Sequence, residues 1–346
     1  MRCKKLTCFL LLCCVAFSAV NAQQRPYYTQ YILNNYIINP AVAGIENYID
    51  VKASYRNQWV GLDGAPVTTY LTIQGPLKRS DYDRETATSF HANGQNPRGE
   101  AYWRDYQTGP AHSGVGLTVV NDVTGPLNHF SAYGTYAYHQ PLSPRTTLSM
   151  GVNVGIMQLS LNSSKLDFGT ANPVDPAVAG SGQLNKIKPD VSLGLWLYSK
   201  DYFVGVAMQQ IIPQQISYNS STSIVQMTGG KLVPHTFITA GYRMSLSEDV
   251  SFLPSVMLRY VSPLPLGFDI NAKVQYQDIF WVGASYRYQD SFAGMVGVNI
   301  SNTVNIGYSY DATTSNLNTV SKGSHEIVVG FLLGNKYGDW CPRNLW

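Results

Sequence analysis

From Asn47 to Leu333, apolar residues alternate with small or polar ones in about fourteen runs of roughly ten residues, each closed by a turn. In Arg145 to Ile156, for example, Leu148, Met150, Val152, Val154 and Ile156 fall on one face of a strand. Ser149, Gly151, Asn153 and Gly155 fall on the other, because successive strand side chains point to opposite sides. One face suits lipid and the other a lumen. The alternation therefore predicts an all-β fold, a transmembrane antiparallel β-barrel of about fourteen strands.

The strands are expected near 47–56, 66–75, 113–121, 129–139, 145–157, 189–198, 201–210, 234–245, 249–260, 266–277, 279–288, 292–301, 303–311 and 323–333. Turns at Pro141 to Pro144, Ser199 to Asp201, Ser247 to Asp249, Gln277 to Ile279 and Ser301 to Thr303 are tight. Segments 158–188, 211–233 and 312–322 are long and rich in Ser, Thr, Asn and Gly. Short turns belong to the periplasmic end of such a barrel and long loops to the extracellular end, and an even strand count puts both termini in the periplasm. By that parity the polar insert 78–112 is periplasmic, yet it is long, and it mixes Asp81, Asp83, Arg84, Glu85 and Arg104 with Tyr82, Tyr102, Trp103 and Tyr106. Three readings stand for it: a plug in the lumen, a docking surface with Trp103 as an aromatic anchor for a periplasmic partner, or a loop with no special role.

Charges inside strands test the assignment, since a Lys or Arg on the lipid face costs about 2–4 kcal/mol at the midplane. Asp50, Lys52 and Arg56 share a face opposite Ile49, Val51, Ala53 and Tyr55, and Arg243, Arg259, Asp269, Lys273, Arg287 and Glu326 likewise sit opposite apolar neighbours. Arg259, Asp269 and Arg287 fall near the extracellular ends of three consecutive strands, where they form a charge ladder on the lumen wall. It reads as wall structure rather than as a substrate site.

The amino terminus changes the bulk numbers. Arg2, Lys4 and Lys5 precede an apolar stretch, Leu6 to Val20, too short to span a bilayer, and Val20-Asn21-Ala22 offers small residues where a signal peptidase cuts. Residues 1–22 are thus expected to be a signal peptide, 23–46 a periplasmic segment, 47–333 the barrel and 334–346 a periplasmic tail. A lipoprotein acylated at Cys13 or Cys14 is the weaker reading, because Leu12 is not small. The leader carries three of the 24 Lys+Arg and none of the 21 Asp+Glu, so the remainder is formally neutral and gives no reason to expect nucleic acid. It also carries four of the five cysteines, leaving Cys341 without an internal disulfide partner or a Cys-based metal site. Only 13% of residues are charged while Tyr occurs 24 times, which fits a barrel with aromatic girdles.

Catalytic chemistry is not indicated. A barrel enzyme needs a nucleophile beside a His, and the six histidines make no such pattern: His91 and His112 lie in the insert, His129 and His139 bracket one strand, and His235 and His325 start others. His325 and Glu326 are adjacent in a strand and face opposite sides. No metal, cofactor or phosphate-binding motif occurs. A solute channel is then the alternative function: inward Gly, Ser and Asn would permit an aqueous lumen, and a barrel of this size holds either a small-solute path or a plug.

Residues at both ends carry a resemblance. Gln30-Tyr31 through Asn39-Pro40-Ala41-Val42-Ala43-Gly44, then Arg56-Asn57-Gln58-Trp59-Val60-Gly61 and Gly64-Ala65-Pro66-Val67-Thr68, closely resemble the opening of the PorP/SprF family of the Bacteroidetes type IX secretion system. Phe252-Leu253-Pro254-Ser255, Trp281 to Arg287, Tyr308 to Asp311, Gly323-Ser324-His325-Glu326-Ile327 and Cys341-Pro342-Arg343 follow in the family's order. The resemblance implies a non-enzymatic outer-membrane barrel without cofactor. Its partners would be type IX secretion components or a large secreted adhesin with a carboxy-terminal targeting domain, in export, surface retention or gliding. On physical grounds Asn39-Pro40 and Gly44 suggest a turn before the first strand, Trp59 an interface anchor or a surface contact, and the paired end strands a barrel seam.

Overall fold

The computed structural model describes residues 26–77, 108–162, 165, 183–216, 230–262, 264–277, 279–301 and 303–335. Fourteen antiparallel strands close into a barrel. They are β1 (Ile49–Asn57), β2 (Val67–Pro76), β3 (His112–Thr124), β4 (Leu127–Ser143), β5 (Thr146–Asn162), β6 (Gln183–Ser199) and β7 (Tyr202–Gln209). The second half comprises β8 (His235–Tyr242), β9 (Val250–Val261), β10 (Gly267–Tyr276), β11 (Phe280–Arg287), β12 (Ser291–Ser301), β13 (Val304–Thr313) and β14 (Ser324–Leu333). Each pairs with the next, and β1 pairs with β14 from Ile49 opposite Leu333 to Asn57 opposite His325. Closure leaves no open edge, which a lipid environment demands because it cannot hydrogen-bond a free ladder.

The two faces follow the alternation. Ile49, Tyr55, Met150, Val154, Ile156, Leu193, Ile270, Phe292 and Phe331 are exposed on the outside, while Asp50, Lys52, Arg56, Asn153, Asp190, Asp269, Lys273 and Arg287 are buried on the inside. Lys52 pairs with Asp50 within β1.

Strand lengths differ from the expectation at the long-loop end. β5 runs to Asn162 and β6 begins at Gln183, so the connection expected over 158–188 is 163–182. Polar residues past the apolar band keep pairing there, as Ser160 does with Asn185, because a ladder needs hydrogen bonds and not apolar side chains. β3 and β4 meet at a tight turn at the same end, where Gly125 has φ +56°. The segment 211–233 contains a short hairpin, Gln214–Ile216 with Gly230–Leu232, and a 3-10 turn, Asn316–Thr319, precedes β14. His112 is the first residue of β3 rather than part of the insert. Residues 78–107 with His91 and Trp103, and 336–346 with Cys341, lie outside the described residues.

Candidate functional site: the plugged lumen

The segment expected to lie in the periplasm, 23–46, is from residue 26 onward inside the barrel. Three 3-10 turns, Thr29–Ile32, Asn35–Ile37 and Pro40–Val42, carry the chain along the lumen to Tyr48. Short turns of this kind suit a sequence broken by Asn and Pro. Asn39 caps the third turn, its Oδ1 accepting from the Ala41 N–H at 3.0 Å, with Pro40 at the first position where a missing N–H costs nothing. The apolar residues explain the location. Tyr31, Ile32, Tyr36, Ile37, Ile38, Ala41, Val42 and Ile45 are buried in one cluster with Tyr70, Trp196, Phe203, Leu253, Met257, Trp281 and Met295 of the wall. Exposing such a run to water would forfeit most of that burial, about 1.5–3 kcal/mol for each large side chain.

Small wall residues, which in the sequence allowed either a small-solute path or a plug, make room for this plug. A Cβ on Gly151 would collide with the backbone of Pro40 and Ala41, and one on Gly194 with the Asn39 side chain. Polar wall groups then hydrogen-bond to the plug. Asn34 Nδ2 donates to Thr72 Oγ1 at 3.0 Å, Tyr36 Oη lies 2.5 Å from Thr135 Oγ1, Asn39 Nδ2 donates to the Leu195 carbonyl at 2.9 Å, Gln209 Nε2 to the Ile38 carbonyl at 2.7 Å, and Ser149 Oγ to the Ala41 carbonyl at 2.6 Å. These partners lie on β2, β4, β5, β6 and β7, so the segment is held from several sides.

At the short-turn end, Gly44 takes φ +79° and donates its N–H to Gln74 Oε1 at 2.6 Å. His139 Nε2 lies 2.8 Å from the Ala43 carbonyl and His112 Nε2 lies 3.1 Å from that of Gly44, and the two imidazoles stack at 4.5 Å. A carbonyl only accepts, so both nitrogens donate. Asn39, Pro40 and Gly44 thus form the expected turn before β1, and the turn lies inside the lumen as part of the plug.

At the long-loop end a buried charge cluster grips the plug's first turn. Arg56 Nη2 is 2.7 Å from Asp311 Oδ2, and its Nη1 is 3.1 Å from Glu326 Oε2. Glu326, fully buried, accepts the Thr29 N–H at 2.8 Å and the Gln30 N–H at 3.3 Å, and Thr29 Oγ1 donates to Asp311 at 2.6 Å. The ladder residues adjoin this cluster: Asp269 is 3.5 Å from Arg287 Nε and 4.0 Å from Arg259 Nη2, and Arg287 also reaches Asp290 at 3.0 Å and Asp311 at 4.0 Å. Tyr27 lies under both arginines, with guanidinium to ring distances of 4.1 Å for Arg259 and 5.1 Å for Arg287. Residue 26 therefore sits at the opposite end of the lumen from the start of β1. The parity rule fixes where β1 begins, and the chain before it crosses back through the barrel.

The other motif positions serve this end. Ser324 Oγ accepts the Trp59 N–H at 3.0 Å, the Pro66 carbonyl accepts the N–H of buried Gln58 at 2.9 Å, and Gly61 and Gly64 turn the β1–β2 loop with φ of +98° and +70°. Trp59, expected as an interface anchor or a surface contact, lies two residues past the end of β1 with a φ of 51° and lines a pocket inside the barrel mouth. His325 faces outward, its Nδ1 2.7 Å from Tyr308 Oη. Among the described residues, no group of three or more His, Cys, Asp or Glu is placed to hold a metal ion.

The profile of the type IX secretion system membrane proteins PorP/SprF matches residues 20–331. The chain belongs to the PorP/SprF family. Fold and family together place it in the outer membrane, as a type IX secretion barrel associated with components of that system. No curated protein sequence matches it. Among solved structures it is similar to the Acinetobacter baumannii outer membrane protein Omp33, with 10% identity, a TM-score of 0.45, and 84% of this chain and 100% of that one covered. It is also similar to the Ralstonia pickettii toluene transporter TbuX, with 12% identity, a TM-score of 0.45, and 87% and 92% covered. A Pseudomonas aeruginosa FadL homologue gives 8% identity, a TM-score of 0.45, and 88% and 93% covered. Likeness of this degree says nothing of what a PorP/SprF lumen carries.

Proposed function

We propose that this PorP/SprF barrel is a closed, non-enzymatic support for the export or surface retention of one large secreted protein, an adhesin being the fitting class, with gliding among the processes served. The observation that carries this reading is the plug. A lumen crossed by residues 26–48, held at one end by hydrogen bonds from Thr29 and Gln30 to buried Glu326 and Asp311 and at the other by two histidines and Gln74, is built to stay shut. A solute channel would require the chain to break those contacts at each opening. In this reading the leader is cut after Ala22, the long-loop end faces outward, and the insert 78–112 with Trp103 meets periplasmic machinery or the secreted partner.

The insert is tested by replacing residues 80–110 with a short Gly/Ser turn. Heat-modifiable folding should persist, because β2 and β3 pair independently of it from Val67 opposite Val123 to Pro76 opposite Gly114. Display of the cognate surface protein should be lost, and so should its co-purification from the native envelope in mild detergent. Normal display in that strain would exclude the insert from the mechanism, and single-channel conductance of the wild-type barrel would favour the channel instead.

A further inference from the structure

Between the plug and the wall, at the long-loop end, lies a cavity of about 320 Å³, within the range of sites that take small ligands. Its apolar walls include Tyr28, Trp59, Phe237, Met257 and Leu264, and at one point Arg259 and Asp269 face each other. The pair is incomplete. Asp269 is 1% exposed, and its Oδ2 is taken by Arg287, but its Oδ1 has no hydrogen-bond partner among the described residues. Arg259 Nη2 stands 4.0 Å from that oxygen, too far for a hydrogen bond, with 15% of its side chain open.

A buried carboxylate oxygen without a donor is costly, and so is a guanidinium without an acceptor. One atom can satisfy both, because an oxygen set about 2 Å to the side of the line joining two atoms 4.0 Å apart lies about 2.8 Å from each. That atom must accept from Arg259 and donate, itself or through an attached N–H, to Asp269. A carboxylate cannot donate and an ammonium cannot accept. Among the residues lining the cavity, Arg259 and Arg287 face Asp269 and Asp290, so the lining itself presents no net charge to a ligand.

We infer that this cavity binds an uncharged molecule with an aromatic or aliphatic body and a hydroxyl or amide head, the head seated between Arg259 and Asp269. The body packs against Trp59, Phe237 and Met257. A free phenol or alcohol has this chemistry, and so does the peptide group beside a large apolar side chain. The head takes the place of a water without losing hydrogen bonds, so recognition of the head is selective while the walls supply affinity. The inference concerns a ligand site and stands whichever protein the barrel helps to export.

The full-length barrel in lipid nanodiscs is titrated with 4-ethylphenol, its methyl ether 4-ethylanisole, and N-acetyl-phenylalaninamide, by ligand-observed NMR against empty nanodiscs. The phenol or the amide should bind saturably, and the ether, which cannot donate, at least about tenfold more weakly than the phenol if the phenol is the one that binds. Saturation by the phenol alone identifies a free small molecule, and saturation by the amide a peptide. Leu264→Trp, in the loop before β10, should fill the cavity and abolish saturable binding while heat-modifiable migration stays unchanged. Arg259→Met should weaken binding by at least about fivefold. Equal affinity for phenol and ether with no binding of the amide, binding unaffected by Leu264→Trp, or no saturable binding of any probe would overturn the assignment and leave the gap to water.

Discussion

Replacing Glu326 with Ala should release the first turn of the plug while leaving the barrel closed. The side chain is fully buried and accepts from Thr29 N–H at 2.8 Å, Gln30 N–H at 3.3 Å and Arg56 Nη1 at 3.1 Å. Removing one member of a buried ion pair costs about 3–5 kcal/mol. Arg56 keeps Asp311 at 2.7 Å, which favours the lower figure. Two backbone donors lose their acceptor as well, at about 1–3 kcal/mol each unless water reaches them. Undocking supplies that water, so the loss falls on residues 27–33 and not on the ladder. The remainder of the plug keeps Asn39, Ser149, Gln209 and His139 as fastenings. The Arg56–Glu326 pair joins two wall residues, so the docking loss is that of the two donors, about 1.5 kcal/mol each or about 3 kcal/mol together, roughly a 150-fold shift in the docking equilibrium. Ile32, 1% exposed, reports it: in a Cys341→Ser background, Ile32→Cys should react with a maleimide on the order of 100-fold faster when Glu326→Ala is added. Glu326→Gln, which retains an acceptor for Thr29, should give an intermediate rate. Equal labelling rates and equal unfolding midpoints in detergent would refute the claim that this cluster holds the plug.

Gly151→Val should lower the midpoint of unfolding, overpacking against Pro40 and Ala41 costing about 1–3 kcal/mol, whereas Gly294→Val, whose Cβ meets nothing within 4 Å, should be neutral; equal effects would deny the close approach of plug and wall. Asp269→Arg places a third cation beside Arg259 and Arg287 and should destabilise the barrel by about 3–5 kcal/mol, more than Asp269→Asn; midpoints equal to wild type would deprive the ladder of energetic weight. In intact cells an impermeant thiol reagent should label a Cys at Val320 and not one at Lys200, and a tag placed before Pro26 should be accessible from the Val320 side; the opposite pattern would invert the orientation.

Strand number, the lipid and lumen faces, the inward charges and the pairing of the end strands were legible in the sequence. Each follows from period-two alternation and from the cost of charge in lipid, which act on neighbouring residues. The ladder partners Arg259, Asp269 and Arg287 could be named because they sit at matching heights on adjacent strands. The plug could not be placed in this way. Tyr31-Ile32 and Tyr36-Ile37-Ile38 are conspicuously apolar for a periplasmic segment, and Tyr70, Trp196, Phe203, Leu253, Met257, Trp281 and Met295 put large apolar side chains among the small and polar residues of the inner face, so a signal was present. It had no period to read, because short 3-10 turns separated by Asn and Pro repeat nothing. The decisive contacts join residues far apart in the chain, as Thr29 with Glu326 and Arg56 with Asp311, and only the closed barrel brings them together. Motif residues that read as a turn and a seam thus became a fastening once the lumen gave them something to hold.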